Sequence, residues 1–249
     1  MTIDEGLIAV WFSCGAASAA AAKLTIEKYG KHRVRVVNSP VIEEDDDNRR
    51  FLVDVQEWLG LPVETAVNPK FPNASAVEVW EKKKFMASPY AAPCTVELKK
   101  EARREWEKVN KPDWHVLGFT VEERHRHERF ILTERRNVIP VLIDAGVRKQ
   151  DCLQMIRDAG IRLPSVYDHL PHANCWGCIK SNSPDYWNTV RRVRPDVFAS
   201  RAEQSRRIGA KLVRVKGERI FLDELKSDDV GQIELNFDCG VFCEEPKND

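Results

Sequence analysis

The sequence predicts an α/β protein built on a doubly wound, mostly parallel sheet, with a small cysteine-containing subdomain towards its C-terminal end. Three observations lead there. Leu7 to Phe12 is a continuous apolar run stopped by a small-residue loop, as expected of a parallel strand covered on both faces. Strand-like and helix-like stretches then alternate, which is the pattern of βαβ units. After Pro140 the texture changes to short helices, a Pro-, His- and Cys-containing loop and a strand pair.

The elements follow in order. After the first strand, Ala17 to Tyr29 is rich in helix formers and closes at Gly30. Val34 to Val37 reads as the second strand, Asp47 to Leu59 as a helix ending at Gly60, and Pro62 to Val67 as a third strand. Ser75 to Phe85 and Val96 to Val109 read as helices, and Trp114 to Gly118 as a strand. Lys149 to Ala159 is the next helix, followed by the Leu163 to Cys178 loop. Tyr186 to Val193 and Asp196 to Ile208 read as two more helices. Lys211 to Val215 and Arg219 to Leu222 form a strand pair turned at Lys216-Gly217. The expected division is a nucleotide-binding α/β domain over 1–145 and a Cys-rich subdomain with its tail over 146–249.

Composition narrows the function classes. With 39 Lys and Arg against 39 Asp and Glu, the net charge gives no argument for nucleic-acid or membrane binding. Charge is uneven only locally, acidic from Glu43 to Asp47 and rich in Arg and His from Arg124 to Arg136. No apolar run reaches bilayer length and no signal-peptide pattern opens the chain, so a cytoplasmic location is expected. Thiols stay reduced there, and seven cysteines call for an explanation other than structural disulfides.

The loop Ser13-Cys14-Gly15-Ala16-Ala17-Ser18 lies between a buried strand and its helix. Backbone N–H groups and the positive end of the helix dipole make such a loop a phosphate site. Ser13 and Ser18 add hydroxyls, Gly15 permits close backbone approach, and Cys14 contributes its backbone. The bland alternative is a small-residue turn that lets the helix pack tightly on the sheet. Cys175-Trp176-Gly177-Cys178 has the spacing with which two thiolates chelate one metal or cluster. A thioredoxin-like dithiol fits less well, because the surrounding loop is rich in Pro and His. Cys152 falls at helical spacing with Met155 and Ile156 and reads as core. His169 and His172 read as solvated loop residues before they read as ligands.

These motifs, in this order, resemble the PP-loop ATP pyrophosphatase (adenine nucleotide alpha-hydrolase) superfamily and within it the phosphoadenylyl-sulfate (PAPS) reductase-like family. S-x-G-x-x-S after the first strand resembles the PP-loop, with Asn38 where the superfamily often has Asp. Gly118, Glu122 and Arg126 or Arg129 resemble a segment that follows a later strand and holds the anionic end of the nucleotide. Arg suits that role because its guanidinium forks onto phosphate or sulfate oxygens. The alternative is a solvated helix with Glu/Arg pairs, which is the preferred reading for Arg135 and Arg136. Pro93-Cys94-Thr95-Val96-Glu97-Leu98-Lys99 resembles the upstream cysteine segment of the iron–sulfur branch, with one cysteine where that branch has two. Asp238-Cys239-Gly240 resembles the reductases' catalytic tail, without its final His.

The resemblance implies a Rossmann-like fold and sulfur chemistry on ATP or an adenylyl sulfate. It implies an iron–sulfur cluster, of 4Fe–4S type, held by Cys94, Cys175 and Cys178 with Cys243 or Cys239 as the fourth ligand; zinc is the alternative. Cys239 would be the nucleophile in thiol-dependent reduction of an adenylyl sulfate, with a thiol reductant such as thioredoxin as partner. The competing implication is ATP-dependent sulfur insertion into tRNA or DNA, with a sulfur donor. A third reading is a metal-stabilised nucleotide-binding module without catalysis. A homodimer is among the assemblies left open, and no membrane partner is expected.

Overall fold

The computed structural model describes residues 5–86 and 92–231. Five strands form one all-parallel sheet in the order β3-β2-β1-β4-β5: β1 Ile8–Phe12, β2 Val34–Asn38, β3 Val63–Thr65, β4 Trp114–Val116 and β5 Val138–Ile139. The central strand pairs Phe12 with Asn38 on one side and Val10 with Val116 on the other. All five residues of β1 are buried, and the pleat divides them. Ile8, Val10 and Phe12 join a core with helices α1 (Ala16–Tyr29), α2 (Asp47–Leu59) and α8 (Lys149–Asp158). Ala9 and Trp11 face the opposite core, with Trp106, Phe119, Phe130 and Ile143. The sheet is thus covered on both faces, as its continuous hydrophobicity requires.

Between β2 and β4 the chain forms α3 (Ala76–Lys83), then α4 (Pro93–Thr95), which runs through a π-helical segment, Val96–Glu101, into α5 (Ala102–Asn110). Sequence periodicity suggests one plain helix here. The wider π turn instead buries Glu97, Leu98, Lys99 and Lys100 in succession. After β4 come α6 (Arg124–Thr133), β5 and the short α7 (Val141–Asp144), of which β5 and α7 are too short to leave a periodic signal. Helices α9 (Pro184–Val193) and α10 (Pro195–Ile208) precede the antiparallel pair β6 (Val213–Val215) and β7 (Glu218–Ile220). Lys216 and Gly217 both take positive φ, +48° and +89°, as a tight two-residue hairpin turn requires.

A third core lies away from the sheet. Trp187, Val190, Leu212 and Leu222 from the C-terminal elements pack there with Val41, Phe71, Val79, Trp80 and Leu98. It therefore draws on both sides of residue 145, while α8 packs on α1. Among the described residues no helix is long and apolar enough to cross a membrane.

Candidate functional site

Strand order reverses between β1 and β4, and in open parallel sheets ligands sit beyond the carboxyl ends of the strands at that switch point. The Ser13 to Ser18 loop lies there. Cys14 takes φ +56°, a left-handed conformation uncommon for a residue with a side chain. Its thiol is buried, and burial followed by the nearby Glu44 carboxylate pushes its pKa up, with Lys99 opposing. Asn38 spans from β2, donating to the Phe12 carbonyl at 2.8 Å and to the Cys14 sulfur at 3.6 Å. Both residues therefore act as struts of the loop.

Ser18 works inward as well. Its hydroxyl accepts the Ser13 N–H at 3.1 Å and donates to the Gly15 carbonyl at 2.9 Å. The Ala16 N–H is taken by the Tyr167 hydroxyl. The N–H groups of Gly15, Ala17 and Ser18 meet no protein acceptor among the described residues, so the loop presents backbone donors at a helix N-terminus. Gly118 is brought against this turn: a Cβ there would lie 2.8 Å from the Ser18 nitrogen and 2.9 Å from the Ala17 carbonyl carbon.

The Arg segment sits differently from the loop. Glu122 accepts the Lys149 N–H at the start of α8, and Arg126 is paired with Glu123 and lies 5.6 Å over the Phe119 ring. Arg129 is exposed on α6. Arg135 is forked onto Glu107 at 3.0 and 3.2 Å, and so is an ion-paired, half-buried residue rather than a solvated one.

Cys94, Cys175 and Cys178 converge on one cavity of about 370 Å³, mouth included, whose walls also carry Trp80, Thr95, Lys99 and Lys180. Cys94 stands at the start of the α4–α5 run and the other two on the loop before α9. Among the described residues no three His, Cys, Asp or Glu side chains approach closely enough to hold a metal ion. The donor chemistry suits a thiolate centre, but the three cysteines line the cavity without forming a metal-ligand group; Cys239 and Cys243 lie outside the described residues. Cys152 is wholly buried in the core of α1 and α8, where burial pushes its thiol up to about 12.

The C-x-x-C loop is held by groups that its spacing does not reveal. The Tyr186 hydroxyl accepts the Cys178 N–H at 2.6 Å and donates to the Cys175 carbonyl at 3.2 Å. The acidic run clasps the same loop. Trp176 donates its ring N–H to Asp45 at 2.7 Å and its backbone N–H to the Glu43 carbonyl at 3.1 Å. Glu43 itself caps α3 through Ser75, Ala76 and Val77, and Asp47 binds Arg50 and the Ser165 N–H. Lys99 joins the two regions: its buried ammonium donates to the Ser39 carbonyl at the end of β2 and to Glu44 at 2.9 Å. The phosphate-type loop and the cysteine cavity thus share the carboxyl edge of the sheet. No protein-family model and no curated protein sequence matches this chain.

Proposed function

We propose that the chain is a PAPS reductase-like enzyme of the PP-loop superfamily, binding an adenine nucleotide on Ser13 to Ser18 and carrying out sulfur chemistry at the neighbouring cysteines. The observation that carries this reading is the convergence of Cys94, Cys175 and Cys178 on one cavity, joined through Lys99 to the sheet edge that bears the phosphate-type loop. Backbone donors of Gly15, Ala17 and Ser18 would take the phosphates. Arg126 and Arg129 are the residues the resemblance offers for the anionic end, and Arg126 would have to exchange Glu123 for the ligand. Residues 146–249 would act as the cysteine-bearing subdomain.

The favoured reaction is thiol-dependent reduction of an adenylyl sulfate. The Cys239 thiolate would attack the sulfate sulfur, forming a sulfur–sulfur bond and releasing the nucleotide with the bridging oxygen. A dithiol donor such as thioredoxin would then attack the Cys239 sulfur, releasing sulfite and becoming a disulfide. A 4Fe–4S cluster or zinc held by Cys94, Cys175, Cys178 and Cys243 would supply electrostatic stabilisation beside the sulfate. Sulfite release from adenylyl sulfate in the presence of a dithiol, abolished by Cys239→Ser, tests this; undiminished release by the variant removes the mechanism.

The single upstream cysteine favours a second reading, ATP-dependent sulfur insertion into tRNA or DNA, in which a three-thiolate cluster keeps one iron open. It predicts pyrophosphate release from ATP that depends on the nucleic acid. Calorimetry that detects no ATP binding would rule it out.

A further inference from the structure

The chain is neutral as a whole, yet residues 191–219 hold ten Lys or Arg against three Asp or Glu. The excess gathers on the β6–β7 hairpin and its base. Lys211, Arg214 and Lys216 are exposed there and Arg219 is half-buried. Among the described residues none of these four forms a salt bridge, whereas Arg206 and Arg207 beside them are tied to Asp223, Glu224 and Glu81.

The register of the hairpin makes the charge more pointed. Arg214 and Arg219 are direct cross-strand partners. The Arg214 N–H runs away from β7, to the Asn182 carbonyl at 2.8 Å, so the two arginines form a pair without mutual backbone hydrogen bonds. Such pairs bring their side chains closest, on one face of the ribbon, and like charges placed there weaken it. Arg219 donates to the Lys211 carbonyl at 3.2 Å, which holds its guanidinium without neutralising it, and Lys216 stands at the turn. The one acid of the ribbon, Glu218, is opposite Val215 and so lies on the other face. The ribbon is also anchored beside the cysteines: Asn182 lies just after Cys178, and Leu212 and Val213 are buried in the core that holds Trp80, Cys178 and Trp187.

We infer that the β6–β7 hairpin is a surface for the sugar–phosphate backbone of a nucleic acid, with Lys211, Arg214, Lys216 and Arg219 meeting successive phosphates. In making that nucleic acid the sulfur acceptor, the inference rests on the second reading above. A phosphate seated between Arg214 and Arg219 turns their repulsion into charge-assisted hydrogen bonds. A lipid surface fits less well, because the turn Lys216-Gly217 offers no apolar side chain to enter it.

The test is fluorescence anisotropy of the full chain with a labelled stem-loop RNA and a labelled DNA duplex over a series of salt concentrations. Wild-type protein should bind at low salt, with log affinity falling linearly against log salt. Arg214→Gln/Arg219→Gln should weaken binding about tenfold and reduce that slope by about two. Arg214→Lys/Arg219→Lys should keep most of both. The neutral variant should melt at or above the wild-type temperature, since a repulsion has been removed, and this separates lost binding from lost fold. Lys23→Gln/Lys108→Gln, the same change of charge on α1 and α5, should bind as wild type does. Binding to neither probe overturns the surface, as does wild-type affinity and slope in the neutral ribbon variant, or binding to anionic phospholipid vesicles alone. Pyrophosphate release from ATP, scored with the same RNA, separates the two claims. Binding without release keeps the surface and removes sulfur insertion; RNA-dependent release undiminished in the ribbon variant keeps sulfur insertion and removes the surface.

Discussion

The Tyr167 hydroxyl accepts the Ala16 N–H at 3.3 Å, so a residue from the short turn before the C-x-x-C loop closes over the first turn of α1. The same oxygen lies 3.5 Å from the position of a Cβ on Gly15. Removing it leaves an N–H at a buried helix start without its acceptor. Tyr167→Phe should lower the unfolding free energy by about 1 kcal/mol. Urea denaturation measures this, and an unchanged midpoint would mean that the bond contributes nothing.

Gly118 is set by a close approach of backbone to backbone. A methyl group there meets Ser18 and Ala17 main-chain atoms below 3.0 Å, and neither belongs to a flexible side chain that can move aside. Gly118→Ala should therefore push the β4 loop off the first turn of α1, costing about 1–3 kcal/mol. It should also reduce ATP or adenylyl sulfate binding in calorimetry. Binding and stability both at the wild-type level would show that the loop accommodates the methyl group.

Much of the scaffold was legible and less of the site. Ile8 to Phe12 announced itself because burial on both faces demands an unbroken apolar run. Val138–Ile139 did not, since two residues carry no period. The π turn at Val96–Glu101 leaves no mark in composition, and its buried Glu97, Lys99 and Lys100 look from sequence like a solvated face. Cysteine spacing pointed to the cavity; its supports were hidden. Glu43 to Asp47 showed only as a locally acidic run, whereas Glu43 caps α3, Asp45 holds the Trp176 ring N–H and Asp47 holds the Ser165 N–H. Arg201, buried over the Trp80 ring, had one available signal, its helical spacing with the apolar Val197 and Ile208, where a charged residue is out of pattern.

Lys99 and Glu44 form the ion pair that ties the cysteine cavity to the end of β2, with side chains only 4% and 12% exposed. Breaking a buried pair from one side strands a charge, whereas removing both ends need not. Lys99→Met alone should destabilise by about 3–5 kcal/mol. The double variant Lys99→Met/Glu44→Gln should recover part of that loss. A double-mutant cycle in guanidinium decides between them, because strictly additive losses would mean that the two residues stabilise independently.

His115 makes stability depend on acid. It is 3% exposed, its Nδ1 accepts the Trp11 ring N–H at 3.1 Å, and Arg135 and Arg103 lie close by. Burial, and then the two guanidinium charges, lower its pKa from 6.5 to about 2. The unfolded chain therefore binds a proton that the folded chain refuses between those values. The resulting stability is complete above pH 6.5 and is lost as pH falls towards 2, with a slope approaching about 1.4 kcal/mol per pH unit for this one group. Carboxylates held low by ion pairs, such as Asp47, add a loss of the same sign at lower pH. The measurement is the urea midpoint from pH 7 to pH 5, above the range where carboxylates titrate. His115→Gln should flatten the dependence in that interval while lowering stability at pH 7, because the Trp11 ring N–H loses its imidazole acceptor. A variant that keeps the wild-type slope would assign the acid sensitivity to another group.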